Sequence, residues 1–96
     1  MKNDDEIVVR NNETDRRYEA TVDGQLSVAD YVVENGRVIF THTFVPPELR
    51  GRNIAATLVR AALSDARARN LKVVPACSYV AKFIERHPEY RDLVAS

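Results

Sequence analysis

Two adjacent prolines, Pro46 and Pro47, split the 96-residue sequence into halves with different hydrophobic periods. Proline cannot donate to a β ladder, so a strand arriving at this pair must stop. Upstream, "RRYEATVD" sets Tyr18, Ala20 and Val22 against Arg17, Glu19 and Thr21, the alternation of a half-buried strand. Asp23-Gly24 and Asn35-Gly36 supply hairpin turns. With the β-branched run in "EIVVRN" and the stretches "LSVADYVVE" and "RVIFTHTFV", they predict an antiparallel four-stranded meander. From about Asn53 the period becomes helical: Ile54, Leu58, Val59, Ala62, Leu63 and Ala66 recur on one face. Alanine-rich filling favours that helix, and Asn70 suits its C-terminal end. "LKVV" is a short fifth strand stopped by Pro75. "SYVAKFIER" is a second helix with Val80, Phe83 and Ile84 on one side, broken at His87-Pro88, and "PEYRDLV" adds a final turn. The order ββββαβα predicts an α/β (α+β) fold whose fifth strand runs parallel to the fourth through a right-handed crossover.

A chain of this length forms one domain, residues 1–96, with Met1 to Asp5 expected to fray. Its single cysteine excludes an intrachain disulfide and fits a reducing compartment. The opening "MKNDDEIVV" has no signal-peptide hydrophobic region, and no apolar run approaches membrane-spanning length. A cytoplasmic monomer is expected. Charge is uneven: residues 1–46 carry five Lys/Arg and nine Asp/Glu (5 − 9 = −4), and residues 47–96 carry nine and five (9 − 5 = +4). The zero total argues against a nucleic-acid binder. The basic half has two readings: attraction for a small anion, or chance unevenness of a solvated surface.

The second half opens on Arg50-Gly51-Arg52-Asn53-Ile54-Ala55-Ala56. A helix start leaves unpaired N–H groups and about half a positive charge. Gly51 permits an unusual backbone angle, Asn53 either caps the helix or takes a left-handed turn, and Ala55 and Ala56 keep the first turn free of bulk. Arg50 and Arg52 add charge. The pattern suits a phosphate group; the plainer reading is a helix start after a turn.

"VPPELRGRNIAATLV" resembles the cofactor loop of the GNAT acetyltransferases, Arg/Gln-x-x-Gly-x-Gly/Ala after a strand and opening a helix. Arg50 takes the first place and Ala55 the last, with Asn53 standing where glycine is usual. "HTFVPPELRG" and "VVPACSYVAKFIERHPEY" narrow the resemblance to small single-domain GNAT-like proteins of the YjdJ type, over roughly residues 7 to 94. The resemblance implies acetyl-coenzyme A as ligand, with its pyrophosphate at Arg50–Ala56 and its pantetheine arm beside the main chain of Phe44 and Val45. It also places Phe83 and Arg86 along the cofactor groove, where the plainer readings are core packing for Phe83 and a solvated charge for Arg86, and implies acetyl transfer to an amine that no residue identifies. A coenzyme A-binding module without turnover is the alternative.

Two residues are candidates for chemistry. Cys77 begins a helix, where the dipole favours thiolate, and it stands at the acetyl end in this resemblance; otherwise it is a small buried hydrophobe. A partly exposed thiol is expected from the first reading. His42, assigned to the same strand face as Val38, Phe40 and Phe44, is either a base or a histidine at a core edge. Glu48 is expected to be exposed, and His87 to cap the second helix. The two histidines and one cysteine lack zinc-site spacing, so no metal is expected.

Overall fold

The computed structural model describes residues 7–95. Strands β1 (Arg10–Asn12), β2 (Arg17–Val22), β3 (Gln25–Glu34) and β4 (Arg37–Phe44) lead through a 3-10 turn at Pro47–Leu49 to helix α1 (Ile54–Ala68). Strand β5 (Lys72–Pro75), helix α2 (Ser78–Arg86) and a 3-10 segment at Pro88–Leu93 complete the chain. The five strands form one sheet in the order β1-β2-β3-β4-β5. The first four are antiparallel neighbours, and β4 and β5 are parallel.

The two-residue turns behave as their chemistry demands. Asp23 and Gly24 have φ of 51° and 74°, and Asn35 and Gly36 have 53° and 75°. Positive φ at both positions gives the turn whose twist matches a hairpin. The first hairpin differs from expectation. Its strand does not include Ile7 to Val9; pairing starts at Arg10, opposite Glu19, and the turn is the four-residue loop between Asn12 and Arg17. Ile7 and Val9 still pack against the core, while Glu6 and Met1 to Asp5 lie outside the described residues.

Helix α1 buries Ile54, Leu58, Val59, Ala62, Leu63 and Ala66 against Tyr18, Ala20, Ala29, Tyr31, Val38, Phe40 and Val73 of the sheet. Val80, Phe83 and Ile84 of α2, with Tyr90 and Leu93 beyond it, close the same core. Leu58 and Leu63 are fully buried, and truncation of either to alanine costs about 2–5 kcal/mol.

One irregularity fixes the site. Between the pairs Tyr31↔Phe40 and Asp30↔His42, β3 advances one residue and β4 two. Thr41 is the extra residue of a β-bulge, and a bulge inverts the alternation beyond it. Thr43 therefore shares the helix-covered face with its partner Ala29, whereas His42 and Phe44 face the other way, opposite Asp30 and Val28. This corrects the assignment of His42 and Phe44 to the face of Val38 and Phe40.

Candidate functional site

Strand β4 outruns β5. Parallel pairing ends at Phe40↔Pro75, and Ala76 N–H turns back to the Val74 carbonyl at 3.0 Å. Cys77 N–H makes a last link to the Phe40 carbonyl at 2.8 Å. Beyond it, His42–Phe44 pair with β3 alone, so β4 and β5 part.

Past the end of β4 lies a cavity of about 370 Å³ lined by Val45, Leu49, Arg50, Gly51, Asn53, Ile54, Ala55, Ala56 and Tyr79. Gly51 at φ 87° and Asn53 at φ 67° turn the chain into α1. Nothing lies within 4 Å of a Cβ built on Gly51, so glycine serves the backbone angle there and not clearance. Asn53 resolves its two readings in favour of the left-handed turn, and its side chain makes no capping hydrogen bond. Its carbonyl accepts from both Thr57 N–H (3.1 Å) and Thr57 Oγ1 (2.8 Å). The N–H groups of Ile54, Ala55 and Ala56 precede that first intrahelical bond and have no helical acceptor. A helix end left this way carries partial positive charge toward the cavity, which suits an anion.

The two loop arginines are held differently. Arg50 Nε donates to the Val45 carbonyl at 2.9 Å, and its guanidinium lies 5.9 Å from the Phe44 ring centroid. It borders the cavity with Nη1 and Nη2 beyond that bond. Arg52 does not line the cavity; its Nη1 pairs with Asp23 Oδ2 at 2.7 Å and ties the loop to the β2–β3 turn. Of the two arginines, Arg50 alone borders the cavity beside the first N–H groups of α1.

Cys77 precedes α2, and its carbonyl accepts from Ala81 N–H at 3.0 Å. Its sulfur lies 3.4 Å from Thr43 Oγ1, the hydroxyl that the Thr41 bulge turns inward. The thiol is 8% exposed, so the expected part-exposure is corrected: the start of α2 packs onto β4 and covers it. His42 is exposed on the far face of the sheet from this sulfur. Phe83 follows its core-packing reading. It is buried in the core, stacked on His87 at 4.0 Å with Arg60 5.4 Å from its centroid on α1, and it does not line the cavity. Arg86 and Glu48 are exposed and outside the lining. His87 Nδ1 donates to the Phe83 carbonyl at 2.8 Å, closing the last turn of α2.

Leu49 and Tyr79 line the cavity and were not assigned to it from sequence. Leu49 is the lone large apolar residue in "PPELRGRN", a signal of burial; Tyr79 had no signal beyond its place in α2. Among the described residues, no group of three or more His, Cys, Asp or Glu side chains is arranged to hold a metal. No described helix is long and apolar enough to cross a membrane.

Known proteins resemble the chain in sequence and in fold. The family model for the GCN5-related N-acetyl-transferase matches residues 17–93. Protein NATD1 of Danio rerio is 38% identical over 55 residues, which cover 55% of this chain and 50% of the relative. That match therefore spans about half the length of the curated relative. The solution structure of a GCN5-like protein from Staphylococcus aureus aligns with a TM-score of 0.71 at 26% identity, covering 99% of this chain and 92% of that one.

Proposed function

The chain belongs to the GCN5-related N-acetyltransferase family, and from that membership we propose that it binds acetyl-coenzyme A and transfers the acetyl group to an amine, as a single-domain cytoplasmic monomer. The observation that carries this reading is the uncapped start of α1, whose free backbone donors open on the cavity beside Arg50. In this reading the N–H groups of Ile54, Ala55 and Ala56 receive the pyrophosphate. Gly51 and Asn53 hold the loop in the positive-φ shape that brings those donors together. Arg50 adds charge at the rim, and Arg52 acts through Asp23 by anchoring the loop.

The open main chain of β4 past Phe40, through Phe44 to Val45, flanks the pantetheine arm, and Leu49 and Tyr79 supply apolar walls. The arm then ends near Cys77 and Thr43. Because the thiol is covered and in contact with Thr43, its role here is to wall the acetyl end, with the amine attacking the thioester carbonyl directly and coenzyme A leaving as the thiol. Acetyl-coenzyme A supplies the activated carbonyl; the chain supplies position and a dry groove.

A second reading, a coenzyme A-binding module without turnover, draws on one observation: His42, the candidate base, lies on the opposite sheet face from Cys77. Turnover measured across alkyl amines, polyamines and lysine peptides separates the two. Acetylated product from wild type, retained in Cys77→Ala, supports the first. Tight coenzyme A binding without product from any amine supports the second, and no coenzyme A binding overturns both.

A further inference from the structure

The other end of α1 carries a second cavity, also of about 370 Å³, walled by Glu13, Arg16, Tyr31, Val33, Arg69 and Leu71. Fifteen helical residues separate it from the cofactor loop, roughly 22 Å at 1.5 Å per residue. It shares no residue with the first cavity.

Polar and apolar surface line it about equally, the apolar part coming from Tyr31, Val33 and Leu71. Tyr31 is 6% exposed, and its hydroxyl donates to Asn11 Oδ1 at 2.6 Å. Val33 is 55% exposed and stands beside Leu71 where α1 has already ended. A large apolar residue left open next to a cavity is a surface on which a ligand gains by burial.

Its rim carries two arginines and one carboxylate, Glu13. Arg69 Nε donates to Asp65 Oδ1 and its Nη2 to Glu13 Oε2, both at 3.2 Å. These bonds hold the guanidinium in place and balance Glu13, while Nη1 has no hydrogen bond among the described residues. Arg16 is exposed, and its side chain makes no ion pair or hydrogen bond among the described residues. Arg16 is also the last residue of the β1–β2 loop and has φ of 57°. That conformation favours glycine or asparagine and strains an arginine. The Arg16 carbonyl accepts from Tyr31 N–H at 3.0 Å, which ties the loop end to β3 while the exposed guanidinium stays at the cavity rim.

We propose that this cavity is a second binding site, for a small molecule that joins a carboxylate or phosphate to a compact apolar body. Arg16 and Nη1 of Arg69 hold the anion, as guanidinium groups do through paired N–H donors. Tyr31, Val33 and Leu71 cover the apolar part. The site is independent of the cofactor reading above.

The test is titration of ¹⁵N-labelled protein with phenyl phosphate and with benzoate, using neutral benzamide as control. Saturable amide shifts at Arg16, Val33, Arg69 and Leu71 are expected for at least one anion and not for benzamide. The tighter anion distinguishes phosphate from carboxylate. Arg16→Gly removes the guanidinium and the backbone strain together, so its melting temperature should hold or rise while affinity falls at least about tenfold. Arg16→Gln, which keeps the strain and loses the charge, should show the same loss. The proposal is overturned by no saturable shift at millimolar anion, by shifts confined to Gly51–Ala56, or by either variant binding as tightly as wild type.

Discussion

Both ends of α1 turn through an asparagine in the left-handed region, Asn53 at φ 67° and Asn70 at φ 58°, and they do opposite things. At the C-terminal end the polar groups are used up. Leu71 N–H reaches back to the Ala66 carbonyl at 2.9 Å and Asn70 N–H to the Arg67 carbonyl at 3.1 Å, the paired bonds of a Schellman cap. Arg67 then clamps the final turn of the chain through Asp92 at 2.8 and 3.0 Å and the Glu89 carbonyl at 2.8 Å. At the N-terminal end the asparagine side chain makes no cap, and the first N–H groups face a cavity. The same backbone device thus closes one end and opens the other. What separates the two ends is whether the chain itself satisfies the helix's terminal backbone groups; any binding at the C-terminal end falls to side chains.

The sharpest way to break this contrast is to fill the open end. Ala55→Asp puts a carboxylate among the free donors. An acidic residue in a first turn adds about 0.3–1 kcal/mol to a helix, so the melting temperature should hold or rise. Its charge opposes a pyrophosphate at close range, and coenzyme A affinity should fall about 100-fold by calorimetry. If affinity is kept, the donors of that turn do not hold the phosphate.

The closed end is tested next, through stability. Tyr18 Oη donates to Asp65 Oδ2 at 2.5 Å and ties the last part of α1 to β2. Burial, then the Asp65 hydrogen bond, raise the phenol well above the ordinary tyrosine range. The unfolded chain releases this proton near pH 10 while the folded chain keeps it, so the stabilisation is full below about pH 10 and declines as pH rises beyond it. Tyr18→Phe should lower stability by about 1.5–3 kcal/mol at pH 7, lessen the alkaline decline in melting temperature, and leave coenzyme A affinity unchanged. A matching loss of affinity would mean that the two ends are coupled.

Exchanging the asparagines themselves gives the smallest effects. Asn70→Val forces a β-branched residue into the left-handed region at a cost of about 1–2 kcal/mol, with no change in affinity. A domain of this size loses about 4–8 °C for each kcal/mol. Asn53→Gly keeps the required angle and should hold coenzyme A affinity within about threefold. A large loss would show that the Asn53 side chain touches the ligand.

The features legible in the sequence were those set by local chemistry. The hairpin pairs Asp23-Gly24 and Asn35-Gly36, the face of α1, Asn70 at its C-terminal end and the parallel fifth strand follow from residue type, spacing and element order, while Asn53 kept two readings, a cap or a left-handed turn. What was not legible depends on distant partners. The Thr41 bulge carries no glycine or proline to announce it, yet one extra residue moved His42 and Phe44 to the opposite face. Arg52 suits a phosphate by its neighbours in sequence but faces Asp23, twenty-nine residues away. Cys77 and Phe83 were placed on the correct elements, while their burial depends on how α2 settles on β4 and on Arg60 of α1.

The most direct measurement of the open-end claim is calorimetric titration of the wild-type chain with coenzyme A and with pantetheine, which lacks the nucleotide and its phosphates. The account predicts that coenzyme A binds at least about tenfold more tightly, a difference of roughly 1.4 kcal/mol, and that Arg50→Glu brings the two affinities close together. Equal affinity for the two ligands in wild type, or a preference that survives Arg50→Glu undiminished, would contradict it.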